Sequence, residues 1–236
     1  MMYIYGKNVC KEKLNSDDKI NKVFLSERFK DYEIMKLLKE KKIKVNYVPM
    51  SFLDRKVDGL HQGIVIEIDE VKTYELDEVI NNIEKEYPTL VMLDHLEDPH
   101  NFGAIIRTCE ALGIDGIIIP NDRSVSINGT VVKTSVGAIS NIKIIRVANL
   151  TACINKLKGK GYWIVGTDMV GEDYTNIDYK MPVCLVIGNE GKGMSKIVTD
   201  NCDYIATIPM EGKVNSLNAS VSLAIVLSQI VNSRRN

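Results

Sequence analysis

The sequence predicts a two-part α/β chain whose larger, C-terminal part is built on a parallel sheet. Three observations lead there. From residue 89 onward, short apolar runs such as LVMLDH, GIIIP and VCLVIG alternate with segments of helical character, the pattern of parallel strands covered on both faces. Residues 1–68 hold a smaller alternation of strand and helix signals with turn glycines. Between the two lies a polar, acidic stretch, DEVKTYELDEVINNIEKEYP, with only a thin apolar stripe. The expected division is 1–68, a linker and surface helix over 69–88, and a second domain over 89–236.

The elements follow in order. YIYG reads as a strand running into a glycine turn, and KVFLS (22–26) as a second strand. YEIMKLLKEKK (32–42) places Ile34, Leu37 and Leu38 on one helical face and ends in lysines suited to a helix C-terminus. KVNYV (44–48) and GIVIEI (63–68) complete the first unit. In the second, strands are expected over 89–95, 116–120, 142–147, 162–168, 183–188 and 204–210, and a long closing helix over about 216–233. Val221, Leu223, Ala224, Val226, Leu227, Ile230 and Val231 give that helix more than one apolar face, so it must be covered on several sides.

Composition narrows the class. The 236 residues are 45% hydrophobic and 26% charged with net charge −1, so no overall basic field announces a polyanion partner. The charge is unevenly spread. Residues 1–68 carry 14 Lys/Arg against 10 Asp/Glu, net +4, and the remainder 16 against 21, net −5. Five cysteines without a C-x-x-C pair read as buried free thiols of a reducing, cytoplasmic protein. Three histidines spaced away from cysteine pairs argue against a zinc site. No apolar run reaches the roughly 20 residues of a membrane-spanning helix, and no secretory h-region opens the chain.

Ligands of open α/β sheets bind beyond the carboxyl ends of strands, and three such places carry unusual chemistry. DHLEDPHNFGAIIRT (94–108) breaks an apolar strand with Asp98 and Pro99 and sets Asn101 and Arg107 near the start of a helix. VIGNEGKGMS (186–195) follows a strand with Gly188, Asn189, Glu190, Gly191 and Gly193. It fails the P-loop pattern, because Met194 stands where a lysine is needed. It also fails the dinucleotide fingerprint, because its glycine spacing is wrong. The plain reading is a helix entry capped by Ser195. IPMEGKVNSLNASVSLAIVL (208–227) follows a strand with Met210 and leads through Ser216, Leu217 and Asn218 into the apolar helix. Capping alone explains any one of these residues, not the set.

Taken together, the three stretches resemble the signature motifs of the SpoU/TrmH-type RNA 2′-O-ribose methyltransferases of the SPOUT superfamily. The front stretches YGKNVCKEKL and DGLHQGIVIEI are similar to the accessory domain of its ribosomal-RNA branch. The resemblance implies a small ribosomal-protein-like α/β domain that binds substrate RNA, followed by an α/β domain with a deep trefoil knot. It also implies S-adenosylmethionine as methyl donor, no metal, and a homodimer joined through the C-terminal domain. The substrate it points to is a guanosine of large-subunit (23S) ribosomal RNA. A transfer-RNA 2′-O-methyltransferase, a silent RNA-binding module and a nucleotide-dependent enzyme stand as alternatives. The donor pocket is expected from Thr167, Gly188, Asn189, Gly191, Ile208, Met210 and Leu217. Catalytic roles fall to Asn101, Arg107, Glu190, Ser216 and Asn218. Arg107 is expected one helical turn beyond the Gly103 loop, facing the other motifs. A guanidinium is effectively always charged, so gripping the phosphate beside the target ribose suits it better than accepting a proton. Ser216 would hold that phosphate or Arg107, and Glu190 would anchor its motif or favour the cationic sulfonium.

Overall fold

A computed structural model of the chain describes residues 1–16, 19–214 and 216–235. They form two compact units, residues 1–71 with 127–137, and residues 72–126 with 138–236.

The front unit runs β1 (Met2–Tyr5), α1 (Lys7–Asn15), β2 (Lys22–Ser26), α2 (Tyr32–Glu40), β3 (Val45–Val48), α3 (Met50–Asp54) and β4 (Ile64–Ile68). Its sheet order is β1-β4-β2-β3. β4 pairs antiparallel with β1 and β2, and β2 pairs parallel with β3. One face packs Ile4, Leu25, Ile64 and Ile66 against Cys10, Leu14, Ile34 and Leu38 of α1 and α2. α2 begins where Asp31 caps it, accepting from the Ile34 amide at 3.2 Å. The sequence reading left residues 127–137 inside the back domain. Here they join the front unit, with Val131 fully buried and Val132 packed on its core. Gly129 permits this, since a Cβ there would come within 2.7 Å of the Tyr3 carbonyl.

The back unit holds β5 (Thr73–Tyr74), α4 (Leu76–Ile80), β6 (Thr89–Leu93), α5 (Pro99–Ala111), β7 (Gly116–Pro120), β8 (Ile144–Val147), α7 (Leu150–Lys158), β9 (Trp163–Asp173), β10 (Val183–Ile187), α8 (Lys196–Thr199), β11 (Tyr204–Thr207) and α9 (Ala219–Ser233). α6 (Gly129–Thr134) is the helix of the inserted segment. Its seven strands follow the order β11-β9-β10-β6-β7-β8-β5, every pair parallel. The unbroken apolar runs have their cause here: β6, β7 and β10 are buried at every position.

Several boundaries differ from the sequence expectation, β6 ending at Leu93 and β8 beginning at Ile144 among them. The stretch read as linker and surface helix belongs to this unit, because β5 pairs with β8 and Leu76 and Val79 of α4 are buried in the core. Tyr74, Ile80 and Ile83 pack partly exposed against the same core. β9 runs past residue 168, because its pairing with β11 shifts from Gly166 to Glu172 and residues 167–171 loop out. β11 stops at Thr207, before Pro209, which has no amide hydrogen to donate to a ladder. α9 starts at Ala219, so Ser216 and Leu217 precede it.

A staple closes the back unit. Arg234, just past α9, donates to the carbonyls of Tyr179 (2.9 Å), Tyr87 (2.8 Å) and Met181 (2.8 Å) and to Thr89 Oγ1 (2.5 Å). Burial lowers its pKa, yet carbonyl and hydroxyl oxygens satisfy the guanidinium in place of an ion pair.

Candidate functional site

The three motifs meet at the carboxyl ends of the central strands. β6 and β10 are neighbours, with Leu93 paired to Ile187, so the residues after each strand lie level with one another. α5 starts earlier than expected. Asp98 caps it, accepting from the His100 amide at 2.8 Å, and Pro99 occupies its first turn. Residues 100–103 are therefore helix, not loop, and Asn101 is buried at the helix start.

That placement joins one residue from each motif. Asn218 Nδ2 donates to Asn101 Oδ1 at 2.8 Å, and Asn101 Nδ2 donates to Glu190 Oε1 at 3.0 Å. Asn218 Oδ1 in turn accepts from the Ser220 amide (2.9 Å) and hydroxyl (2.6 Å), so one side chain caps α9 and clamps α5. Residues 101, 190 and 218 are far apart in sequence, and each such bond stabilises by about 1 kcal/mol, more where it reaches the carboxylate. Glu190 is thereby tied to the start of α5.

The 188–195 loop is organised from within. Asn189 Nδ2 donates to the His95 carbonyl at 2.9 Å, while its Oδ1 accepts from the amides of Gly191 (3.0 Å) and Lys192 (3.3 Å). Asn189 and Gly193 also exchange backbone bonds at 3.0 and 2.9 Å. The chain doubles back so tightly that a Cβ on Gly188 would lie 2.2 Å from Gly193. Any side chain there would unfold the loop. Ser195 stands at the N-cap of α8, but its hydroxyl makes no cap bond and is buried without a hydrogen-bond partner among the described residues. Its amide instead donates to Asp94 Oδ2 at 2.6 Å.

Donor-pocket candidates line three adjacent parallel strands. Thr167 follows the paired part of β9 and its Oγ1 donates to the Val186 carbonyl at 3.2 Å; Gly188 follows β10; Ile208 follows β11. Met210 and Leu217 are large apolar side chains that are each 39% exposed. Tight backbone, exposed apolar groups and one carboxylate beyond the strand ends fit an adenosyl sulfonium. Backbone groups can read the adenine edge, apolar side chains can clasp its faces, and Glu190 offers negative charge.

Two candidates stand apart. Arg107 is exposed and has no hydrogen bond or ion pair among the described residues. It makes no bond to the other motifs, whereas Asn101 bonds both. Ser216 is exposed before α9 and likewise shows no bond to Arg107. The sequence reading passed over Asp94 and His95. Asp94 is 1% exposed, and its Oδ1 meets His95 Nδ1 at 2.5 Å. The signal was there: an Asp-His pair at the end of a fully apolar strand. Among the described residues, no cluster of His, Cys, Asp and Glu is arranged to hold a metal, and no helix is long and apolar enough to cross a membrane.

Comparison with known proteins places this arrangement. Residues 88–228 match the SpoU rRNA methylase family, and residues 3–74 match the RNA 2′-O ribose methyltransferase substrate-binding family. The chain belongs to the SpoU family and is an RNA methyltransferase of that kind. It is 42% identical over 238 residues to the TrmH family tRNA/rRNA methyltransferase YacO of Bacillus subtilis (strain 168), covering 98% of this chain and 96% of that protein. Among solved structures, it is similar to the AdoMet-bound rRNA methyltransferase from Sinorhizobium meliloti. That match has a TM-score of 0.73 and 26% identity, covering 98% of this chain and 87% of the other. The A. aeolicus TrmH/SpoU tRNA modifying enzyme aligns at TM-score 0.58 and 29% identity over 64% of this chain and 78% of its own.

Proposed function

We propose that this protein transfers a methyl group from S-adenosylmethionine to a ribose 2′-hydroxyl of a guanosine in large-subunit (23S) ribosomal RNA. The observation that carries the reading is the bonded chain Glu190–Asn101–Asn218, which ties the three motifs together. S-adenosylmethionine supplies an electrophilic methyl group on a sulfonium. The residues of this chain bind, orient and handle one proton, and orientation is the larger part of such a reaction. Thr167, Gly188, Asn189, Gly191, Ile208, Met210 and Leu217 form the donor side. Arg107, exposed and without a partner among the described residues, grips the phosphate next to the target ribose, with Ser216 beside that phosphate. The knotted chain path implied by the family likeness forms part of the same reading.

Coverage supports ribosomal over transfer RNA. The ribosomal-RNA enzyme aligns over 98% of this chain, front unit included, whereas the tRNA enzyme aligns over 64%. The front unit is the substrate-selecting part. Arg28, Lys30, Lys39, Lys42 and Lys44 are exposed and carry no ion pair among the described residues, as a phosphate-contacting surface requires. The protein is a cytoplasmic homodimer in this reading. α9 leaves Val221 46% exposed beside a groove of ≈ 630 Å³ lined by Ala104, Thr108, Ala224 and Ile225, and a second copy covers it. Methylation of a large-subunit RNA fragment with labelled donor tests the activity, with transfer RNA as the control. Activity on transfer RNA alone would overturn the substrate assignment, and a monomer mass by light scattering at micromolar concentration would overturn the dimer.

A further inference from the structure

An arginine cannot easily accept the 2′-hydroxyl proton, so the reaction needs another acceptor. We propose that His95, oriented by Asp94, accepts that proton at Nε2; this inference rests on the methyltransferase reading above. Asp94 is buried, its Oδ2 accepts from the Ser195 amide at 2.6 Å, and its Oδ1 meets His95 Nδ1 at 2.5 Å. A carboxylate only accepts, so Nδ1 carries the hydrogen and Nε2 presents a lone pair. Nε2 has no partner among the described residues, and the ring side chain is 38% exposed. Asp94 is the one charged group of the described residues within ion-pair distance of the ring; on the facing loop, Glu190 is bonded to Asn101.

The His95 backbone is held against the 188–195 loop. The register of β6 and β10 puts His95 level with Asn189, at the carboxyl end of the strand between β10 and β7. Its carbonyl accepts from Asn189 Nδ2, and its amide donates to the Leu93 carbonyl at 3.1 Å. The backbone is held at φ 59, the left-handed region. A histidine there costs of order 1 kcal/mol or more and persists only when surrounding contacts impose it. The other two histidines lack this combination. His61 has both ring nitrogens bonded. His100 lies exposed in the first turn of α5, with no side-chain bond to an orienting carboxylate among the described residues.

The step balances. The ribose oxygen forms the new O–C bond to the methyl carbon, and the sulfur keeps the electron pair of the broken S–C bond. The hydroxyl proton passes to Nε2, leaving an imidazolium paired with Asp94. One positive charge enters on sulfur and one leaves on the ring.

The test uses His95→Gly, which removes the ring and relieves the left-handed strain, so folding is spared. Single-turnover methylation should fall roughly 100-fold or more, donor affinity should stay within about twofold, and added imidazole should restore a substantial part of the rate. A variant that keeps parental activity, or a loss that imidazole does not rescue, would overturn the proposal. Nitrogen-15 histidine NMR of the full chain, with the signal assigned by comparison with His95→Gly, gives a readout without turnover: His95 should be the Nδ1–H tautomer. An Nε2–H tautomer would overturn the role even if the protein methylates. A parent that binds donor yet methylates no RNA would sink the broader reading instead, while the tautomer still decides this one.

Discussion

His61 in the front unit and His95 in the back unit are each bonded to an aspartate, and the two pairs are inverted. His61 is 5% exposed; its Nε2 lies 2.9 Å from Asp54 Oδ1 and its Nδ1 accepts from the Gly63 amide at 3.1 Å. Its aspartate is exposed and its ring is hidden. His95 reverses this, with a buried aspartate, a half-exposed ring and a free nitrogen. Both nitrogens of His61 are used in holding a turn, so that pair is structural. The free nitrogen is what separates a group available for chemistry from one consumed by the fold, and the same contrast runs through the two units. The front unit holds Arg28, Lys30, Lys39, Lys42 and Lys44 as exposed cations with no ion pair among the described residues, whereas the back unit ties its motif residues into one bonded chain.

The sharpest way to break the contrast is Arg107→Ala. Without the phosphate grip, methylation should fall about 1,000-fold, the upper range for a preorganised charge contact, with donor affinity unchanged by calorimetry. Leu217→Arg should do the reverse, abolishing donor binding first. Loss of donor affinity in the Arg107 variant would move that residue from the RNA side to the donor side.

His61→Ala should unfold rather than slow. Leaving the Gly63 amide unpaired and a cavity beside it costs about 2–4 kcal/mol, read as a lower midpoint in denaturant. Donor affinity of the folded fraction should not change. A His61 variant with full stability would erase the structural half of the comparison.

Reversing Lys39, Lys42 and Lys44 to glutamate should raise the KM for RNA about tenfold and flatten its salt dependence, leaving kcat and donor affinity in place. An unchanged salt slope would point to a different surface for RNA.

The smallest effect is on alkaline stability. Burial pushes the Cys153 thiol up to about 12 and Cys202 up to about 12, and also raises Cys109 and Cys184. In the unfolded chain these thiols ionise near pH 8.5. Their stabilising contribution is therefore whole below that pH and declines as pH climbs toward 12. The front unit has one buried cysteine, Cys10, so alkaline unfolding of the back unit should be the steeper. Equal slopes would contradict that ordering.

Much of this was legible in the residues. Apolar runs at 116–120 and 183–187 state a buried parallel strand directly, because burial on both faces removes alternation. The motif asparagines and Glu190 stood out as polar groups where a plain turn needs none. What the sequence hid depends on tertiary contact. β5 and α4 look like linker because only Leu76 and Val79 are fully inside the core, while Tyr74, Ile80 and Ile83 pack on it partly exposed. The start of α5 was masked by Gly103, which reads as a loop residue but sits buried within the helix. The roles of Asp94 and His95 could not be read from adjacency alone, since the Asp94 partner on the far side is the amide of Ser195.

The account turns on where a methyl group is placed. The protein should be incubated with large-subunit RNA and isotope-labelled S-adenosylmethionine, and the RNA then hydrolysed in alkali, which cannot cleave beside a blocked 2′-oxygen. The account predicts label in one alkali-resistant dinucleotide beginning with guanosine, lost when Asn101, Glu190 or Asn218 is replaced by alanine. Label on a base, or in fully hydrolysed mononucleotides, would contradict it.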